Sequence, residues 1–106
     1  MSNPHRGEVA LVAGDQTYTL AYTINSVCEL EEELGHSLAE IVAGMGRLKV
    51  IRAVLWAGLL RHHKMGIDEA GDVMDAAGVP ATVEAVNKAI ASAFPPPEAG
   101  AKRKNR

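Results

Sequence analysis

The alternation of apolar and polar positions near the start of the chain predicts a β-hairpin. Residues 7–13 and 16–22 alternate in the way of strands with one buried face, and Gly14-Asp15 between them is a two-residue connection typical of hairpin turns. A single hairpin is only marginally stable in water. We therefore expect it to pack against helices of its own chain or, as the alternative, to join a sheet supplied by another subunit.

After the hairpin, apolar residues recur at helical spacing in several segments. We expect a helix capped by Asn25, a short helix with a capping box at Ser37 and Glu40, a central helix around Trp56, a helix capped by Asp68, and a last helix that begins at Pro80 or Thr82. The predicted fold class is mainly α with an N-terminal β-hairpin (α+β), a small single-domain helical bundle of four to five helices. Residues 1–94 form this domain, and residues 95–106 are predicted to be a flexible Pro-rich basic tail.

The central segment from Ala53 to Leu60 is apolar on every side when it is wound as a helix. Such a helix is normally buried in a core or spans a membrane, and this run is far shorter than the roughly 18 to 20 residues that a bilayer requires. We expect no membrane partner, so protein must surround the helix, either its own chain or another. The candidate anchors for a protein partner, with ordinary core packing as the alternative, are Leu55, Trp56, Leu59 and Leu60.

Charge is unevenly distributed although the formal net charge is only −2. Five basic residues and no acid lie in residues 47–64, between two segments in which acids prevail. The acids of the first predicted helix are candidates for docking on a basic partner or on a neighbouring copy, and they include Glu29, Glu32 and Glu33. The alternatives are a solvated acidic face or internal pairing with Arg47, Lys49 and Arg52.

Candidate catalytic and metal-binding chemistry is sparse in this sequence. The single cysteine and the four histidines have no spacing typical of a zinc site or a catalytic triad, so we expect no enzyme activity, no cofactor and no metal. Basic residues at 102–106 could contact phosphates, but acids outnumber bases in the rest of the chain, and we do not expect nucleic-acid binding. The lone cysteine and the absence of a secretory pattern at the N-terminus indicate a cytoplasmic protein.

Five short segments together resemble a known family. They are Asn3-Pro4-His5-Arg6-Gly7-Glu8-Val9, Tyr18-Thr19-Leu20, Asn25-Ser26-Val27-Cys28-Glu29-Leu30-Glu31 with Leu34-Gly35, Leu55-Trp56-Ala57-Gly58-Leu59, and Glu69-Ala70-Gly71. Over about residues 3–94 the chain is similar to the small tail protein of gene transfer agents and related siphophages, which is encoded between the tail tube and tape-measure genes. The Pro-rich basic C-terminus has no counterpart among these motifs.

The resemblance implies one of two roles in a phage-like particle. Proteins of this family are labelled either tail assembly chaperone or tail tube protein. A chaperone would bind the tape measure protein, and also the tail tube protein, in the cytoplasm of the bacterial host during tail morphogenesis; self-association into a homo-oligomer is left open. The alternative is a structural tail tube subunit or a minor tail component of the particle.

Physical reasoning favours the chaperone role. A tube subunit typically needs a long β-rich chain that closes a ring by sheet pairing, whereas this sequence predicts one hairpin and several helices. A tape measure protein is long and helix-rich, and its apolar stripes would aggregate if they were left uncovered. A small protein with an apolar helix could cover those stripes until tube subunits replace it.

Overall fold

The computed structural model describes residues 8–94 of the chain. Its elements are β1 (Glu8–Ala13), β2 (Gln16–Ala21), α1 (Ile24–Leu34), α2 (Leu38–Ala43), α3 (Leu48–Leu59), α4 (Ile67–Ala77) and α5 (Val79–Ala93). The predicted fold class, mainly α with an N-terminal hairpin, is confirmed, and the number of helices is five. The predicted tail, residues 95–106, lies outside the described residues.

The hairpin pairs β1 and β2 antiparallel, with Leu11 opposite Tyr18 and Ala13 opposite Gln16. Gly14 has a φ of +64° at the first position of the turn, which is the conformation that a type II′ turn requires. β1 contacts α4 and α5, and β2 contacts α3 and α5. The hairpin therefore packs on helices of its own chain, the first of the two predicted arrangements.

The helix α3 lies at the centre of the domain, in contact with β2, α1, α4 and α5. Its buried residues face several directions, which is why its sequence shows no polar side over this stretch; they are Ile51, Ala53, Val54, Leu55, Ala57, Gly58 and Leu59. The protein that surrounds the apolar helix is therefore largely its own chain.

Tyr22, just after β2, fastens the hairpin to α3. Its hydroxyl donates a 2.6 Å hydrogen bond to the backbone oxygen of Val54, and burial raises the pKa of this hydroxyl, so it stays a donor. A Cβ at Gly58 would lie 2.6 Å from the tyrosine oxygen, which is closer than carbon and oxygen atoms can approach. The close contact between strand and helix thus requires glycine at this position.

The predicted cap of the first helix is wrong by two residues. Thr23, not Asn25, is the N-cap: its Oγ1 accepts from the Ser26 backbone N–H at 3.1 Å, and Ser26 Oγ accepts from the Thr23 backbone N–H at 2.9 Å. Two side chains three residues apart thereby satisfy two backbone donors, whereas an asparagine cap would satisfy one. Asn25 is exposed in the first turn.

The predicted cap of α4 is also wrong. The N-cap is Gly66, whose backbone N–H donates to the Glu69 carboxylate at 2.8 Å, and Asp68 lies inside the first turn. The Ser37 and Glu40 capping box of α2 is confirmed, with reciprocal hydrogen bonds of 3.3 and 2.9 Å. None of the helices in residues 8–94 has the length and apolar character needed to cross a membrane.

Candidate partner-binding surface

Two of the four predicted apolar anchors lie in the interior of the domain. Leu55 and Leu59 are both 0% exposed and belong to the core cluster. Neither side chain can contact a partner while the domain keeps this fold, because helices and strands of the same chain cover them. The expectation that these leucines anchor a partner is therefore corrected: they serve the core.

The other two predicted anchors, Trp56 and Leu60, are half-buried. Trp56 packs on the core, and its indole Nε1 donates to the Met65 backbone oxygen at 3.1 Å, which holds the segment that follows α3. Leu60 lines a shallow depression together with residues of α1, among them the predicted docking residue Glu29. The structure thus brings Leu60 and Glu29 to one surface but assigns Trp56 an internal bond.

The predicted acidic docking residues Glu29, Glu32 and Glu33 are exposed on α1. Among the described residues no ion pair joins them to the basic residues of α3, because Arg52 points instead toward Asp68 of α4 at 3.7 Å. The internal pairing that the sequence suggested is therefore made by α4 and not by α1. Docking of these three acids on a partner stays a prediction.

An open groove of about 620 Å³ lies between α3 and α4. Leu48 and Met74 supply its apolar surface, and Leu48 is 59% exposed although it is a large apolar residue. Basic side chains line the α3 side and acidic side chains line the α4 side; they are Lys49 and Arg52, and Asp68, Asp72 and Asp75. We call this surface the α3–α4 groove.

Arg52 has unused hydrogen-bonding capacity in the α3–α4 groove. Its Nε is buried and has no hydrogen-bond partner among the described residues, and its aliphatic stem lies across Gly71, with Cδ 3.1 Å from where a Cβ would stand. Its contact with Asp68 is weak in energy because that carboxylate is almost fully exposed to water. The rest of the guanidinium is partly open to solvent, since the Arg52 side chain is 35% exposed, so an anionic acceptor that entered the groove would pair with it there.

Sequence reasoning missed the α3–α4 groove, although a signal for it was present. Asp68, Asp72 and Asp75 follow the i, i+4, i+7 spacing of one helix face. The basic segment 47–64 immediately precedes them in the sequence. Two successive helices with faces of opposite charge are expected to pack with those faces adjacent.

Two consecutive histidines after α3 contact the hairpin. His62 Nε2 lies 2.9 Å from Glu8 Oε2, and His63 Nε2 accepts a 3.1 Å hydrogen bond from the Thr19 backbone N–H. Burial, and secondarily the neighbouring His62, lowers the pKa of His63. Within residues 8–94, no three histidine, cysteine or carboxylate side chains come together as metal ligands would.

Comparison with known proteins places this arrangement in a family. A family model described as phage tail tube protein, GTA-gp10, matches residues 6–95. The chain belongs to this family. The match to the GTA-gp10 family spans the hairpin and all five helices, and it confirms the resemblance seen in the sequence. This member of the GTA-gp10 family is therefore a tail protein of phages and gene transfer agents. No curated protein and no solved structure matches the chain.

Proposed function

We propose that this protein is a non-catalytic tail assembly chaperone. It binds the tape measure protein during tail morphogenesis in the cytoplasm of the bacterial host and is replaced when tube subunits assemble. The α3–α4 groove is the binding surface, in place of the buried leucines of α3.

The observation that carries this proposal is the pairing of exposed apolar surface with two oppositely charged sides in the α3–α4 groove. The exposed Leu48, with the small exposed part of the core residue Met74, suits the apolar stripe of an amphipathic helix. Lys49 and Arg52 suit acids on one flank of that helix, and the aspartates of α4 suit bases on the other. A helix-rich tape measure protein offers such segments, and an acid of the partner would pair with the partly exposed guanidinium of Arg52.

The small size of the sheet supports a chaperone role over the role of a tail tube subunit. The part of the chain that the structure describes has two strands, which pair only with each other. A ring closed by sheet pairing needs a free strand edge on both sides of each subunit, and His63 occupies the β2 edge by accepting a hydrogen bond from the Thr19 N–H at 3.1 Å.

A structural tail tube or minor tail subunit is the second candidate function, and the family description as a tail tube protein favours it. The two candidates differ in the mature particle. A chaperone is absent from purified particles, whereas a structural subunit is detected there in stoichiometric amounts by mass spectrometry.

Co-expression with the tape measure protein tests the proposal. We expect the tape measure protein to stay soluble and to co-purify with this chain. Leu48→Lys should reduce co-purification by about tenfold, since placing a charge against an apolar stripe costs on the order of 1.4 kcal/mol or more. Ile24→Lys on α1 is the matched control, because Ile24 is similarly exposed at 67% and lies outside the groove.

Two results would contradict the proposal. A tape measure protein that is equally soluble without this chain would remove the chaperone role. Equal loss of co-purification in both lysine variants, with unchanged melting temperatures, would remove the α3–α4 groove as the binding surface.

A further inference from the structure

The outer edge of β1 has backbone groups that are open to pairing. A two-residue turn with Ala13 opposite Gln16 places Leu11 and Val9 in the hydrogen-bonded pairs of the hairpin. The N–H and C=O groups of the alternate residues, Ala10 and Val12 among them, therefore point away from β2. Within residues 8–94 no other strand pairs with this edge.

The outer edge of β2, unlike that of β1, is partly covered by a side chain of the same domain. Thr19 N–H, which points outward from β2 for the same geometric reason, donates to His63 Nε2 at 3.1 Å. Tyr18 also packs edge-on against the His63 ring, with ring centroids 5.1 Å apart. A side chain thus covers the middle of the β2 edge.

The edge of β1 has few of the features that prevent pairing. Soluble proteins usually protect an edge strand with lysine, proline or a bulge. β1 has the sequence Glu-Val-Ala-Leu-Val-Ala, and its register with β2 is continuous over six residues. Val12 is 63% exposed, and Ala10 is exposed beside it on the same face of the sheet. This edge is an apolar template for another strand.

We propose that two copies of this chain associate through their β1 strands, paired antiparallel about a two-fold axis at Ala10. Ala10 of each copy would lie opposite Ala10 of the other, and Val12 opposite Glu8. The outward groups of Glu8, Ala10 and Val12 would form about six backbone hydrogen bonds between the copies. The result is a four-stranded sheet in the order β2, β1, β1, β2.

The placement of charge favours a second copy in this orientation. Glu8 is the only charged residue of β1, and antiparallel pairing puts the two Glu8 carboxylates at opposite ends of the interface, whereas parallel pairing in register would put them side by side. The single acid therefore selects the two-fold arrangement.

The surface of α5 beside the β1 edge is complementary in charge to the same surface of a second copy. The groove along β1 is lined on α5 by Ala81, Glu84, Ala85 and Lys88. The alanines leave room for a second chain, and Glu84 and Lys88 form an exposed pair at 3.6 Å, one helical turn apart. A two-fold axis reverses their order, so that Glu84 of one copy lies near Lys88 of the other.

Sedimentation velocity of the full chain over a range of concentrations tests this interface. We expect a dimer, and Val12→Glu should raise its dissociation constant by about tenfold or more, because it places a second carboxylate opposite Glu8 of the other copy. Thr17→Glu is the matched control, because Thr17 is opposite Val12 on the same exposed face but lies on β2, away from the second copy. This variant should dimerise as the unmodified chain does.

Amide hydrogen exchange gives a second measurement that does not depend on a substitution. The amides of Ala10 and Val12 should exchange rapidly in dilute protein and become protected as the dimer forms. The amides of Val9 and Leu11, which bond within the hairpin, should be protected at every concentration.

Three outcomes would overturn the interface. The first is a monomer at all concentrations, and the second is a dimer equally weakened by both glutamate variants or by neither. The third is a monomer that dimerises only when residues 1–7 are deleted, which would assign the edge to the chain's own N-terminal segment. The self-association test needs no tape measure protein, so its failure is distinct from failure of the proposed chaperone function.

Discussion

The two halves of α3 have a similar content of apolar residues, but their leucines differ in exposure to solvent. The C-terminal half contains Leu55 and Leu59, which are fully buried in the core cluster. The N-terminal half, with Leu48 and Lys49, lines the open α3–α4 groove. An apolar run in the sequence therefore indicates that part of a helix is buried. The packing of neighbouring elements decides which of its turns stay accessible to a partner.

Truncation of one leucine in each half should give the largest contrast. Leu55→Ala removes a fully buried side chain and should lower the free energy of unfolding by about 2–5 kcal/mol, because it loses apolar burial and leaves a cavity. Leu48→Ala, two turns earlier on the same helix, should change it by less than about 0.5 kcal/mol. Urea denaturation followed by circular dichroism measures both. Similar losses in the two variants would show that the halves of α3 are equally enclosed.

Removal of the Tyr22 hydroxyl should give a smaller effect on the enclosed half. Tyr22→Phe deletes the 2.6 Å hydrogen bond to Val54 and should cost about 0.5–1.5 kcal/mol in the free energy of unfolding. Tyr18→Phe is the control, because the Tyr18 hydroxyl makes no hydrogen bond within residues 8–94. This variant should change the free energy of unfolding by less than about 0.5 kcal/mol. An unchanged denaturation midpoint in Tyr22→Phe would mean that this contact does not fasten the hairpin to α3.

The smallest expected effect is the pH dependence contributed by His63, which joins the segment after α3 to β2. Its pKa is lowered in the folded state, so the unfolded chain binds the proton more readily. Stability from this group is therefore fully present above the unfolded pKa of about 6.5 and is lost as the pH falls through the lower folded pKa.

A glutamine substitution isolates the histidine contribution. His63→Gln keeps a side-chain acceptor for the Thr19 N–H but does not titrate, so its stability should fall less between pH 7 and lower pH than that of the unmodified chain. If His63→Gln lost more stability at acidic pH than the unmodified chain, the lowered pKa of His63 would not be a source of the acid sensitivity.

Local sequence patterns were sufficient to predict the elements of the fold. The strand alternation, the two-residue turn and the Ser37 and Glu40 box are contained in short segments, and the structure has each of them. The cap of α1 was placed wrongly because Thr23 and Asn25 are both good capping residues, and the reciprocal bond to Ser26 that decides between them is not apparent from residue type alone.

The candidate binding surface could not be predicted from one helix at a time. Nothing in the sequence of α3 distinguishes Leu55, which is covered, from Leu48, which is exposed, because the difference arises from the position of α1, α5 and the hairpin around the helix. From charge alone, an acid of α1 or an acid of α4 could have paired with Arg52. Packing of α4 on α3 brought Asp68 to it and left Glu29, Glu32 and Glu33 in solvent.

The interlock of Tyr22 with Gly58 also has a mechanical consequence. Because the ring occupies the space that a methyl group would need and its hydroxyl bonds to Val54, this contact opposes sliding of α3 under the hairpin. The proposed dimer would therefore hold its two α3–α4 grooves at a set spacing and orientation. Two linked grooves would engage a long repetitive helix with avidity, so that two individually weak contacts give a more durable attachment than either alone.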